Sequence, residues 1–396
     1  MKQGWTYKKL GDCFPYIKNG ANIKQIKGAD GLPITRIETL SGGVFNRDRM
    51  GYAGIYNLDK YSDYVLEDGD LLLSHINSKT YIGRTVEYRA KNDETIIHGM
   101  NLLRLKSNSD VINSSFFAYY TLSNDFKTNV AKVRKDAVNQ SSIAISDIRK
   151  FSIPVPPIQS QQYVVDELDK INELIRLKKE QLKDYDNLAQ SIFYEMFGDP
   201  VMNEKGWDVE SLGKVCDVRD GTHDSPQYLQ ESPYILITSK NLVNGKIDYS
   251  NVNYISEEDY IAINKRSQVD DGDIIMAMIG TIGNPIIVKL EEHKFCIKNV
   301  ALIKFFNDSL VSNKYVHSLL NNESYLTFIK SQNKGGTQKF VALGTIRKLP
   351  IPIPPLSYQQ QFAQRIELIE KQKAEIQSTI ADLETLLASR MQYWFD

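Results

Sequence analysis

The stretch IPVPPIQSQQ begins at Ile153, and IPIPPLSYQQ begins at Ile351, 198 residues further on. At this offset Pro154, Pro156 and Pro157 fall on Pro352, Pro354 and Pro355, and Gln161 and Gln162 fall on Gln359 and Gln360. Upstream, Ile148-Arg149-Lys150 falls on Ile346-Arg347-Lys348; downstream, Ser191 falls on Ser389 and Phe197 on Phe395. An ungapped register over this length marks an internal duplication, which has to be recognised before any fold is assigned.

Towards the start of each copy the match continues with small insertions. Gly4-Trp5 and Leu10-Gly11 correspond to Gly206-Trp207 and Leu212-Gly213, and Ile34-Thr35 to Ile237-Thr238. Asp68-Gly69-Asp70 precedes LLLS as Asp271-Gly272-Asp273 precedes IIMA, and Asn101 and Asn299 each precede an alternating apolar run. The intervening loops share almost nothing. One scaffold is written twice and carries two different surfaces. Short β-rich runs such as YILIT and NVALIKFF, broken by Gly and Asn, predict mixed α+β domains with helices near Ser114–Lys127 and Asn313–Ser331.

After each proline segment the apolar residues step by 4 and 3. The first copy gives Val164, Leu168, Ile171, Ile175, Leu182, Tyr185 and Ile192 around a break at Lys178. The second gives Phe362, Ile366, Ile369, Ile376, Ile380, Leu383 and Leu387 around breaks at Lys373 and Arg390. Such heptad seams predict two long helices packed on one another as an antiparallel, coiled-coil-like pair with pseudo-twofold symmetry. The prolines are expected to end each sheet and stiffen the approach to the helix. Ser357 and Gln360 are spaced as a capping box. The organisation expected is a first domain over 1–152, a helical region over 153–199, a second domain over 200–350 and a C-terminal helical region over 351–396.

Composition narrows the function. The formal net charge of −1 argues against a chain that grips nucleic acid unaided by neutralising phosphates, but leaves room for local positive patches. Three scattered cysteines suit a reducing cytoplasm; no run is apolar enough to span a membrane, and the start of the chain has no signal-peptide character. The five histidines show no metal spacing, there is no phosphate loop, and Asn284-Pro285 is followed by Ile286 rather than by the proline and aromatic of an amino-methylation motif. No catalytic residue and no bound metal are expected.

Polar loops rich in Lys, Arg, Asn, Gln and Thr are the candidates for nucleic-acid contact, since these side chains reach phosphates and base edges. In the first copy they are Lys79, Arg84, then Lys132, Arg134 and Lys135 in a run that reads as basic and acid-free up to Lys135, and Asn139 and Gln140 beyond it. In the second they are Thr222, His223, Lys240, Thr281, Lys334, Gly336, Thr337, Gln338 and Lys339, in a segment that extends to Arg347 and Lys348.

The paired IPxPP segments with Gln-Gln and a long helix, the linker FGDPVMNEKGW at 197–207, and the DGTHDSP loop at 220–226 together resemble the specificity subunits of type I restriction–modification systems. The family's hinge often carries an acid before its Gln, where this chain has Ser160 and Tyr358. The resemblance implies two target-recognition domains, each reading half of an asymmetric bipartite site in double-stranded DNA, with the helices as a ruler. It implies no chemistry of the chain's own and no bound cofactor. Two modification (methyltransferase) subunits would bring S-adenosylmethionine, and a restriction subunit would bring ATP and Mg. Two other readings stand beside it: an adaptor that sequesters modification subunits, which the sequence leaves open, and a fused restriction–methylation enzyme, against which the missing methylation motif and phosphate loop speak.

Overall fold

The computed structural model describes residues 4–138, 140–290, 293–332 and 340–396. The chain divides into two compact units, Met1–Lys179 with Ser378–Asp396, and Glu180–Gln377. Each contains one domain, one part of the first long helix and one part of the second.

In the first unit a four-stranded antiparallel sheet has the order Tyr16–Asn19, Leu102–Lys106, Leu71–Ser74, Thr85–Glu87. Side chains alternate across a strand, and here both faces are buried. Leu71, Leu73, Leu103 and Leu105 face a core shared with helices Ser114–Tyr120 and Asn124–Val133. Leu72, Leu102 and Val86 face a second cluster with Leu40, Leu66 and Tyr88. The second unit repeats the sheet as Cys216–Asp220, Val300–Phe305, Ile274–Ala277, Gly283–Ile287, again with a core on each face. It adds a three-stranded sheet in which Tyr234–Ile237 pairs in parallel with Lys294–Ile297.

The repeated residues do the same work in both units. In Asp68-Gly69-Asp70 and Asp271-Gly272-Asp273 the glycines take φ of 81° and 85°, a left-handed conformation that glycine adopts without strain. The first Asp accepts the amide of Ala90 or of Leu290 at 2.9 Å. The last accepts the amide of Glu67 at 2.6 Å or of Asp270 at 2.7 Å, closing the turn into the central strand. Asn101 and Asn299 are also left-handed, at φ 73° and 57°. The two expected helices divide: the first into Ser114–Tyr120 and Asn124–Val133, the second into Asn313–Asn321 and Glu323–Ser331. In each case the second member is capped by a polar side chain, Ser123 on the Phe126 amide and Asn322 on the Tyr325 amide.

The proline segments do not end the sheet structure. Ser152–Val155 forms an antiparallel ribbon with Thr6–Lys9, and Pro350–Ile353 does so with Asp208–Ser211. A two-stranded ribbon is all edge, so a proline without an amide is tolerated in it. Each ribbon runs into a 40-residue helix, Ile158–Phe197 and Leu356–Phe395, about 60 Å long at 1.5 Å per residue. The second helix opens at Leu356, which places Ser357 inside its first turn rather than at a cap.

The helices are fixed to their domains by the first Gln of each pair. Gln161 is fully buried: its Oε1 accepts the Asn113 amide at 2.8 Å, and its Nε2 donates to Val111 O at 2.9 Å and Pro156 O at 2.8 Å. Gln359 repeats this with the Ser312 amide, Leu310 O and Pro354 O, at 2.8, 2.9 and 2.8 Å. An amide has two donor hydrogens and one acceptor oxygen, and all are used.

The seam residues are buried or half-buried. Val164, Leu168, Ile171, Ile175, Phe362, Ile369, Ile376 and Ile380 are buried; Leu182, Tyr185, Ile192, Ile366, Leu383 and Leu387 are half-buried. Two of the breaks are ionic. In the first unit Arg390 donates to Glu167 through Nε at 2.6 Å and Nη2 at 3.1 Å, and Trp394 Nε1 donates to the same carboxylate at 2.8 Å. The Arg390 bonds hold the Glu167 carboxyl below its ordinary range. Lys179 meets Glu384 at 2.8 Å, so within this unit the helical segments run antiparallel. In the second unit Lys373 meets Asp186 at 2.8 Å, and Phe362 packs edge-on to Phe193 and Phe197, which sets the same sense there. The linker after the first helix is ordered by Gly198 at φ 76°, by Asp199 accepting the Val201 and Met202 amides, and by Trp207 Nε1 donating to Phe197 O at 3.0 Å.

Replacing Gln161 with Ala strands buried backbone groups and is expected to lower stability by about 2–4 kcal/mol, measured by urea titration. Gln161→Glu turns an acceptor towards two carbonyls, which raises the folded-state carboxyl pKa above the unfolded value. Its penalty is therefore expected to shrink as pH falls and the acid regains a donor; an effect that does not change with pH would refute this role for the amide.

Candidate nucleic-acid interface

In the first unit the candidate segments meet. Strand Ile76–Asn77, in the loop that holds Lys79 and Arg84, pairs with Ser141–Ser142, which pairs with Lys135–Asp136. Ala137 N donates to Gln140 O at 2.9 Å across this hairpin. The run is not free of acid once it is folded. Asp136 accepts Arg134 Nε at 2.6 Å and Ser141 Oγ at 2.7 Å, and Lys79 Nζ lies 3.8 Å from it. Arg134 and Ser141 hold the Asp136 carboxyl down to about 2, so it stays ionised. Arg134 and Lys79 are thus partly neutralised, and their charge is spent on fixing the hairpin. Lys132 and Lys135 are exposed, with no carboxylate in ion-pair range among the described residues. Asn139 lies outside the described residues.

Arg84 sits differently. Its guanidinium donates to Leu40 O at 3.2 Å and lies 4.5 Å over the ring of Tyr81, which is 47% exposed. No carboxylate pairs with it among the described residues. The histidines near this sheet add no charge, because burial pushes His75 and His98 down to about 4.

In the second unit the DGTHDSP loop starts at Gly221, where a Cβ would come within 2.3 Å of Ile297 O. The equivalent Gly20 of the first unit meets Gly99 O at 2.1 Å in the same way. Thr222 pairs with Ile297 through its amide at 3.0 Å, and its hydroxyl accepts the Asp224 amide at 3.1 Å. His223 lies between two oxygens, Asn299 Oδ1 at 2.9 Å from Nδ1 and Asp220 Oδ2 at 2.8 Å from Nε2. Bonds to Asn299 and then Asp220 raise its pKa, so the ring tends to the imidazolium form. Asp220 also accepts Arg266. Burial opposes ionisation of Asp220, but Arg266 and His223 outweigh it and hold its pKa below the ordinary range. Lys240 and Thr281 are exposed at the ends of loops that follow strands Tyr234–Ile237 and Ile274–Ala277. Lys334, Gly336, Thr337, Gln338 and Lys339 lie outside the described residues. Arg347 is exposed, and its Nε donates to Val218 O at 2.9 Å, which ties it to the domain.

The sequence missed Asp136, Asn299 and Arg266 as parts of these surfaces, whereas Tyr81, Asp220 and Asn284 lie in loops that it singles out. Asp136 stands one residue beyond the run that was read as basic. Asn284 was visible as the counterpart of Arg84 once the glycines at 83 and 283 are aligned. Among the described residues there is no group of three His, Cys, Asp or Glu that could hold a metal, and no helix is long and apolar enough to cross a membrane.

The chain matches the family of the type I restriction modification DNA specificity domain twice, over residues 2–184 and 204–385. It is 29% identical over 411 residues to the putative type I restriction enzyme MjaX specificity subunit of Methanocaldococcus jannaschii, covering 98% of this chain and 93% of that one. It is 20% identical to the EcoKI specificity subunit of Escherichia coli, covering 92% and 78%. Among solved structures, the S subunit of a type I system from M. genitalium superposes with a TM-score of 0.55 at 13% identity, over 98% of this chain and 95% of that one. A chain from a study of type I assembly and conformational transition gives 0.59 at 17% identity, over 100% and 98%. With the family's domain present twice and nearly the whole chain accounted for, this protein belongs to the specificity subunits of type I restriction–modification systems, which recognise DNA targets.

Proposed function

We propose that the chain reads an asymmetric bipartite site in double-stranded DNA, one half-site per domain, without chemistry of its own. The observation that carries this is the divergence of loops on a repeated scaffold. The Asp-Gly-Asp turns, the sheet and the Gln clamps are the same in both units, whereas Ala21 stands where the second unit has Thr222, and Arg84 where it has Asn284. A scaffold held constant beneath two unlike polar surfaces suits two unlike half-sites. The 40-residue helices act as the spacer between the half-sites. The formal net charge of −1 favours recognition by an assembly over tight binding by this chain alone. Two modification subunits would supply S-adenosylmethionine and the methyl transfer, and a restriction subunit would supply ATP- and Mg-dependent cleavage.

Methylome sequencing of a host with and without the gene is expected to show one additional bipartite motif that depends on it; no change in methylation would reject guidance of methyl transfer. Inserting one heptad into the long helices is expected to lengthen the gap between half-sites and leave both half-sites unchanged. A changed half-site would reject the spacer role.

A further inference from the structure

Residues 84 and 284 occupy one place in the repeated scaffold. Each follows a glycine at positive φ, Gly83 at 83° and Gly283 at 110°, and each glycine follows a buried isoleucine, Ile82 or Ile282. A Cβ on Gly83 would come within 3.0 Å of Val130, and one on Gly283 within 2.7 Å of Leu326, so both turns are pressed against a helix of their own domain. Across from each lies the same tight turn. Thr39 Oγ1 accepts the Arg36 amide at 2.8 Å and Thr39 O accepts the Asn46 amide at 2.8 Å. Asn241 Oδ1 accepts the Thr238 amide at 3.0 Å and Asn241 O accepts the Asp248 amide at 2.7 Å. The next carbonyl in each turn is the partner: Leu40 O accepts Arg84 Nη1 at 3.2 Å, and Leu242 O accepts Asn284 Nδ2 at 3.4 Å.

The place in the sheet and the carbonyl partner are the same; the side chain is not, and Asn284 alone is left-handed, at φ 49°. Arg84 keeps most of its five donors, has no acidic partner among the described residues, and has its plane set by the exposed Tyr81 ring. Lys79 and Arg134, two other candidate cations of this domain, are tied to Asp136. Asn284 keeps an acceptor and a donor, and the residue beside it in place of Tyr81 is the exposed Thr281. A guanidinium fork matches O6 and N7 of guanine, and a carboxamide matches N6 and N7 of adenine.

We propose that positions 84 and 284 are an equivalent pair of specificity-determining residues, with Arg84 selecting guanine in one half-site and Asn284 adenine in the other. This rests on the two-domain reading given above. It assigns the asymmetry of the target in part to a single exchanged position.

The test is selection from a randomised duplex library by the chain assembled with its modification subunits. Arg84→Asn is expected to cut discrimination at one guanine position by about ten- to a hundred-fold, leaving the other half-site intact. Asn284→Gly, which suits the left-handed backbone at φ 49°, is expected to relax one adenine position in the other half-site only. Should Arg84→Asn melt early, Arg84→Lys decides, since it keeps the charge and stem but loses the fork; the same single position should relax. An unchanged motif, a change at a base other than these, or relaxation spread over both half-sites overturns the assignment. A wild-type complex that selects no bipartite motif rejects the underlying reading, and the assignment with it.

Discussion

A buried glutamine fixes where each long helix leaves its domain. Gln161 and Gln359 each satisfy one amide and two carbonyls with three hydrogen bonds, in full exclusion of water. One of those carbonyls belongs to the proline segment just before the helix, and the other two groups belong to the turn that opens a helix of the domain. The side chain therefore ties ribbon, domain and spacer together at one point. Buried polar groups are costly when unmatched, so the register of the joint is selected strongly. The same three bonds recur around Gln359, 198 residues later. The helices can serve as spacers only if these joints do not swivel, and the seam below them depends on the register they set.

The second constraint is electrostatic. With nearly balanced charge overall, the protein places its cations with care and cancels several of them internally. Asp136 holds Arg134 and Lys79, Asp220 holds His223 and Arg266, and Glu167 holds Arg390. Such pairing gives up attraction for phosphates and gains fixed side-chain positions. Counterion release alone binds any duplex, whereas a rigid polar surface can tell base edges apart. A neutral chain with braced loops suits a protein whose task is discrimination.

Most of the scaffold was legible in the sequence, because duplication reveals which residues are structural. Residues that recur between the two copies, such as Gln161, Asp70, Asn101 and Arg149 with their partners Gln359, Asp273, Asn299 and Arg347, turn out to make equivalent backbone-directed bonds or turns. Arg347 makes its backbone bond while remaining exposed. The proline strands were misjudged because a proline forbids only the amide side of a pairing, and a two-stranded ribbon leaves that side free. The polar surfaces were less legible. Whether Arg134 faces DNA or Asp136 depends on a hairpin register that local spacing does not encode. The rise in the His223 pKa comes first from Asn299, 76 residues away, and then from Asp220.

The central claim is that one scaffold, used twice, reads two half-sites independently across a spacer set by the helices. The most direct measurement is the methylation motif guided by a chimera in which residues 201–350 are replaced by a second copy of residues 1–150, joined at the conserved ribbons. The account predicts a target with the first domain's half-site on both sides and an unchanged gap. Retention of the original second half-site, or a motif with a different gap, would contradict it.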